Sequence, residues 1–353
     1  MAARARQARV RRAQADLLAG LSLHVAGGGM AGLVAAARAR ELGGSPVVYE
    51  KGARPGGSML LSSCVIWRYS DFDEFRRQCP TGDEPLDGAL DWLELLGAVV
   101  TQPETENPLT TGRRFDPAAL TEALVRAAGD VRVGETTPEP QILATGGFQA
   151  SEELVAEHIA PAARLPLRAN PWSAGDGLKH GLARGGSLSA GMDEFYGRNM
   201  PDAPFGEADF VPAAQLYAAS AKVVNQRGEE FLGGPVDWSE TRVAQETARQ
   251  PGAAAWYELA TEALDDDVAD RIDYARRLGA PVEQRDGRVA VRVRASITHT
   301  IGGLQIDDRA RVAGADGLWA AGADAGGIST GGYASGLASA LVLGLTAAED
   351  AVS

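Results

Sequence analysis

The chain holds only two cysteines, Cys64 and Cys79, among 353 residues. They fit no metal-ligand spacing and no disulfide framework, which points to a reducing compartment and predicts a cytoplasmic location. No metal site is expected. Aromatic residues make up 6% of the chain, too few to suggest a platform on which bases stack. Basic charge is short as well: the net charge is −13, whereas a phosphate backbone needs a basic surface, so nucleic acid is excluded as an expected partner. No apolar run approaches the roughly 18 residues of a membrane span. Histidine occurs four times, so imidazole chemistry has few places to sit. Against these shortages, 45% apolar and 23% charged residues are ordinary for a globular chain that builds one large or two medium domains.

Glycine is abundant, with 43 residues, and its placement is informative between Leu21 and Lys51. A short apolar run, Leu23 to Ala26, leads into Gly27, Gly29 and Gly32 in G-x-G-x-x-G spacing. An alanine-rich helical pattern, Met30 to Leu42, ends at Gly43-Gly44, and a second apolar run, Val47 to Tyr49, ends in Glu50. Chance matches to a glycine spacing are expected in so glycine-rich a chain, but strand, helix, second strand and acid together predict a βαβ nucleotide site. Gly27 permits the tight turn, Gly29 lets backbone approach a pyrophosphate, and Gly32 lets helix and strand pack closely. The free N–H groups near Met30 and Ala31 and the positive helix end would face phosphates. Glu50 would accept hydrogen bonds from ribose hydroxyls.

Downstream, Lys51 to Ser58, with Gly56 and Gly57, reads either as a loop that wraps a cofactor or as a plain surface turn. Helices are predicted over Leu86–Leu96 and from Asp116 to Ala128, the second opened by an Asp-Pro pair suited to an N-cap and first helical position. Val131 to Val133 reads as a short strand, and Gln141 to Phe148 as a buried strand that contains Ala144-Thr145-Gly146. A helix follows the Ser173–Gly177 turn, with Asp176 near its start. Residues 191–298 change character, richer in prolines, tryptophans and short strands, with acidic helical stretches around 239–249 and 266–278. The end of the chain returns to glycine-rich α/β: Thr298 to Leu304, a strand through Gly317–Gly322, a loop over Asp324–Gly332 and a helix over Tyr333–Ala351. The expected division is a basic leader at 1–20, a nucleotide-binding domain from 21–190 and 299–353, and an inserted capping and substrate lobe at 191–298. The leader holds five arginines against one aspartate. It reads as a short basic helix or frayed segment in preference to a twin-arginine export signal, whose apolar stretch would have to be the first strand.

Taken in order, GGGMAG at 27–32, ATGGF at 144–148, AGDGLKHG at 174–181, HTIGGL at 299–304 and GLWAAGADAGG at 317–327 resemble one family. It is that of the FAD flavoproteins of the fumarate reductase/succinate dehydrogenase type, with 3-ketosteroid dehydrogenases as cousins. The resemblance spans nearly the whole chain. It implies an α/β fold: a Rossmann-like FAD-binding domain of the glutathione reductase type with an inserted α+β capping lobe. It also implies a cofactor set that adds Val133, Gly322, Ala323, Asp324, Gly336 and Leu337 to the residues above. The last helix would aim its positive end at the flavin, where it stabilises charge on the reduced ring.

The resemblance further implies hydride transfer at a carbon β to a carbonyl, coupled to a proton moved at the α carbon. His299 would grip substrate. Arg242 follows a V-N-x-x-G-x-x-F-like stretch, Val224 to Phe231, that leads in the family to the proton-donating arginine. Departures are as telling. The glutamate–arginine relay is absent, with Ala214 and Tyr217 at the counted positions, and the second substrate histidine is replaced around Asn199–Pro201. Tyr333 stands where a carboxylate-binding arginine belongs, so a small dicarboxylate loses its bidentate clamp. Tyrosines at 196, 217 and 333 suit a less polar substrate whose ketone they could bond. No histidine lies near Ser58, so FAD is expected to be non-covalent. The segment from Ala128 to Gln141 is shorter than the family's strand meander.

The expected function is an FAD-dependent oxidoreductase that desaturates or reduces a C–C bond beside a carbonyl in a non-dicarboxylate small molecule. His299 and Tyr333 would face substrate, and Arg242 or Tyr217 would handle the proton. The electron acceptor is unknown. Two alternatives stay open: a biosynthetic isomerase or cyclase that uses FAD without redox turnover, and an electron-transfer or binding subunit.

Overall fold

A computed structural model describes residues 22–80 and 89–353. The basic leader and Leu86 fall outside the described residues. The parallel sheet grows from the glycine-rich βαβ unit. Strand β1 (Ser22–Ala26) pairs with β2 (Ser45–Glu50) across helix α1 (Met30–Glu41). Alanine dominates α1, so both its faces can be buried against neighbours; Arg38 and Arg40 in the last turn suit the negative helix end. After β3 (Val65–Tyr69), helices α2 (Phe72–Gln78) and α3 (Leu90–Leu95), and strands β4 (Val100–Gln102) and β5 (Thr110–Phe115), comes α4 (Pro117–Ala128). The Asp116 carboxylate accepts from the Ala119 N–H at 2.7 Å and so caps α4.

Strands β6 (Asp130–Val133) and β7 (Ile142–Leu143) then join the sheet. The predicted strand from 141 to 148 is only two residues long here. Gly146 and Gly147 take positive φ values of 95° and 79° and turn the backbone into a loop. The final order is β13-β7-β1-β2-β6, with β13 at Trp319–Ala320. The chain reverses direction of travel between β1 and β7, and the crevice at that switch point, beyond the strands' carboxyl ends, is where such sheets bind ligands.

The second layer is antiparallel. It is built on β12 (Arg288–Thr300), the longest strand, which pairs with β8 (Phe195–Pro201), β10 (Ala254–Ala260) and β11 (Val282–Arg285); β9 (Lys222–Val224) edges β10. Its own core includes Tyr217, Val223, Tyr257, Ile272 and Val291. Helix α5 (Asp176–Ala183) packs Gly181 against Leu304, α6 (Thr241–Ala248) packs on β8 and β12, and α7 (Asp266–Leu278) adds Val268, Ile272 and Ala275 to the core of the antiparallel sheet. Helix α8 (Gly336–Ala351) closes the parallel core. It starts three residues later than predicted, because Ser335 caps it by accepting from the Ala338 N–H at 3.3 Å. Gly344 brings α8 against α1; a Cβ there would stand 2.7 Å from the Ala31 carbonyl oxygen. Among the described residues no helix is long and apolar enough to cross a membrane.

Candidate functional site

One cavity of about 800 Å³ opens at the switch point and runs along the glycine turns into the gap beside the antiparallel sheet. Its first end is made by β1, α1 and β2. Gly27 has φ +105°, and a Cβ there would land on the Ala144 carbonyl oxygen. Gly29 differs: the nearest atom to a Cβ would be the Gly57 Cα at 4.0 Å, so its missing side chain leaves open cavity above the backbone. The Glu50 carboxylate is held by the N–H groups of Gly28 (2.7 Å) and Gly52 (2.5 Å).

The middle of the cavity is tied by polar side chains. Lys51 Nζ lies 2.5 Å from the Asp176 carboxylate. Asn170 donates to Ser58 Oγ at 2.8 Å and to Ser173 Oγ at 3.2 Å, joining the Gly57-Ser58 loop to the turn before α5. Among the described residues, three buried cavity-wall atoms have no hydrogen-bond partner: Gln149 Oε1, His180 Nε2 and Thr300 Oγ1. Buried polar atoms are seldom left unsatisfied, so the wall suits a polar occupant. An open backbone approach at Gly29, a helix N-terminus and unpaired donors and acceptors together fit a dinucleotide with a polar ring system.

The far end is aromatic. Residues on a strand alternate faces, so Phe195, Gly197 and Asn199 of β8 are buried while Tyr196 and Arg198 face the cavity. Tyr196 sits opposite His299 of β12, where a bulge between Ile297 and His299 shifts the register; such bulges re-aim side chains. The Tyr196 and Tyr333 rings stack at 3.9 Å with 10° between planes, and His299 lies 5.1 Å from Tyr196. Tyr69 Oη donates to the Tyr333 carbonyl at 2.6 Å and fixes that loop. Trp67 and Trp238 complete the wall. Gly336 at the start of α8 lies under His299, since a Cβ there would stand 2.9 Å from the ring's Cε1.

Electrostatics differ sharply within this cluster. Burial lowers His299 to about 4, so it is a neutral imidazole near pH 7. Burial would raise the Tyr196 phenol, but the Arg198 and Arg168 guanidiniums and the Tyr333 hydroxyl outweigh it, and its pKa falls below the ordinary tyrosine value. Tyr333 is pushed well above that value, by burial first and then by Tyr196. Two phenols in one contact are thereby driven apart, the pattern that separates a proton acceptor from a donor.

Of the residues singled out in the sequence, Gly27, Gly29, Met30, Ala31, Glu50, Lys51, Gly57, Ser58, Ala144, Thr145, Gly146, Asp176, Gly322, Ala323, Gly336 and Leu337 line the cavity, as do His299 and Tyr333. Others do not. Gly32 packs α1 onto β1, and Gly56 turns the loop with φ +103°. Val133 is exposed at the end of β6. The buried Asp324 carboxylate faces inward, accepting from Thr145 N, from Thr145 Oγ1 at 3.0 Å and from Gly147 N at 3.4 Å; burial raises it to about 6. It fastens the ATGG loop instead of reaching the cavity.

Both expected proton donors are also displaced. Arg242 lies on α6 outside the cavity wall, pairing with Glu246 at 3.1 Å and donating to the Pro235 carbonyl. Tyr217 is sealed in the second layer's core, its hydroxyl 2.6 Å from Gln215 Oε1. Arg168, Arg198, Asn170 and His180 line the cavity as well and were not singled out in the sequence. The strand alternation around Arg198 was the available signal for that residue; Arg168 lies in a loop and had none.

The FAD binding domain family matches residues 97–339, and an NAD(P)-binding Rossmann-like domain family matches residues 25–62. No curated protein matches the chain. Among solved structures, a flavocytochrome c3 fumarate reductase in its open conformation is similar at 17% identity and TM-score 0.67, over 98% of this chain and 80% of that one. The 3-ketosteroid-Δ4-(5α)-dehydrogenase of Rhodococcus jostii RHA1 is similar at 16% identity and TM-score 0.67, over 95% and 97%. The 3-ketosteroid Δ1-dehydrogenase of Sterolibacterium denitrificans is similar at 15% identity and TM-score 0.66, over 94% and 99%. At these identities the likeness is one of fold.

Proposed function

The chain belongs to the FAD binding domain family, and from that premise we propose that it desaturates or reduces a C–C bond adjacent to a carbonyl in a non-dicarboxylate organic substrate. The observation that supports this most is the stacked Tyr196–Tyr333 pair beside neutral His299, at the end of the cavity that the glycine turns begin. FAD, when bound, supplies hydride exchange with the substrate's β carbon. The protein's part is to hold the carbonyl and move one proton at the α carbon. Tyr196, whose phenol two guanidiniums favour as phenolate, accepts that proton in desaturation and returns it in reduction. Tyr333, held protonated, and the neutral His299 ring are the donors for the carbonyl oxygen, where enolate-like charge develops. Gly29, Gly57 and Ser58 would lie along the pyrophosphate and Glu50 would meet the ribose. Ser58 offers no imidazole for attachment, and burial pushes the nearby Cys64 thiol up to about 12, which favours non-covalent binding. The segment 191–298 would serve as the cap that shields this chemistry from water.

Anaerobic stopped-flow absorbance tests the reading. Saturated ketones or acids should bleach the oxidised flavin, or their α,β-unsaturated counterparts should reoxidise reduced enzyme. Flavin that never changes redox state while substrate is consumed would overturn it in favour of an isomerase or cyclase.

A further inference from the structure

Arg168 and Arg198 bring two positive charges to the tyrosine end of the cavity. Arg168 Nε donates to the Phe210 carbonyl at 2.7 Å and Nη1 to Thr298 Oγ1 at 3.1 Å. These two bonds fix the guanidinium plane and, among the described residues, leave Nη2 without an acceptor. Arg198 donates to the Ser239 carbonyl and lies 4.9 Å from the Tyr196 ring centre. Among the described residues no carboxylate lies within ion-pair distance of either guanidinium. Glu240 feels the charge of Arg198, but its Oε1 accepts from the Ala218 N–H at 2.9 Å, and burial raises its pKa to about 7. The groups that act on Arg168 are Tyr196, Arg198 and Tyr333, none of them a carboxylate.

Two partly buried cations without a counter-ion are costly unless an anion is brought to them. Planar guanidinium forks with a free N–H edge match a carboxylate in particular.

Resting on the function proposed above, we infer that Arg168 and Arg198 form an anion subsite and that the substrate is a monoacid, its one carboxylate held there while the bond to be oxidised or reduced lies toward the glycine turns. This amends the expectation of a less polar substrate. Loss of the arginine at position 333 removes one clamp of a dicarboxylate site, and Arg168 supplies a different one from a loop of its own.

The test uses the FAD-loaded protein and a matched pair of probes, trans-cinnamate and trans-cinnamamide, followed by flavin absorbance and by intrinsic tryptophan fluorescence. Cinnamate should bind at least roughly tenfold more tightly than the amide. Arg168→Met should weaken cinnamate by about 10- to 100-fold, as loss of one or two charge-assisted bonds predicts, and leave the amide nearly unchanged, while Arg168→Lys should recover part of the loss. Equal affinity for the two probes, absence of binding by both at millimolar concentration, or equal weakening of both in Arg168→Met would overturn the subsite. Should Arg168→Met fail to fold, the wild-type acid-to-amide ratio decides. Flavin content and reducibility are read in the same samples. Protein that exchanges electrons with neutral enones yet does not discriminate the probes loses only the subsite, whereas protein whose flavin never turns over loses the function itself.

Discussion

Gly27, Gly29 and Gly32 share one motif, yet replacing each by alanine should fail in a different way. At Gly27 the methyl would collide with the Ala144 carbonyl, and φ is +105°. A non-glycine residue in that region costs on the order of 1–3 kcal/mol before any clash. Gly32→Ala would drive a methyl into the Gly27 carbonyl, again a folding cost. At Gly29 φ is −80° and the nearest atom is 4.0 Å away. Alanine there loses a little as an N-cap and regains a little by stiffening the unfolded chain, so the net change is within about 1 kcal/mol. Its methyl does occupy the space where a pyrophosphate would approach. Displacing one or two charge-assisted hydrogen bonds weakens binding by about 10- to 100-fold. Thermal melting of flavin-free protein, paired with FAD titration, separates the cases. Gly29→Ala should melt within about 3 °C of the parent and bind FAD poorly, whereas Gly27→Ala and Gly32→Ala should melt markedly lower. If Gly29→Ala destabilises the free protein as much as Gly27→Ala, or leaves FAD affinity unchanged, the cavity has been misread.

Tyr196→Phe should keep its flavin and lower turnover by roughly 10²–10⁴, the usual contribution of a positioned acid or base; Arg242→Ala and Tyr217→Phe, assayed alongside, should retain most of theirs relative to folded protein. The kcat/KM profile should show an inflection below the ordinary tyrosine value, and Arg198→Met should move it to higher pH, because removing a cation disfavours the phenolate; an unmoved inflection would exonerate Tyr196. Glu240, raised from 4.5 to about 7 by burial, keeps a proton in the folded state that the unfolded chain releases. Its contribution is therefore full below about pH 4.5 and lost as pH rises through 7, by an amount on the order of 3 kcal/mol. Denaturant melts of Glu240→Gln should lack that slope, and an identical slope would show that other groups cause it.

The parallel half of the fold was legible because its signals are local. Gly27, Gly29, Gly32 and Glu50 fall within one βαβ unit, where turn chemistry and strand length fix their places. The Asp116-Pro117 pair announced α4 in the same way. The far end of the cavity was not legible, because its residues meet through pairing that no short window records. Tyr196 faces His299 only because β8 and β12 align with a bulge at that point. Arg168 reaches the same cluster from a loop, steered by the Phe210 carbonyl and Thr298. Arg242 follows the V-N-x-x-G-x-x-F-like stretch, but α6 turns it away toward Glu246. Asp324 sat next to the right position, but Thr145 and Gly147 hold its carboxylate inward.

The alternation along β8 has a consequence for how such a protein could diverge. Positions 195, 197 and 199 are committed to the interior, while 196 and 198 project into the cavity. A lineage could therefore exchange those two outward side chains, and with them its choice of reactant, without disturbing either sheet or the turns that would cradle the nucleotide. New chemistry would then arise by point changes on a single edge, with the remaining architecture inherited intact.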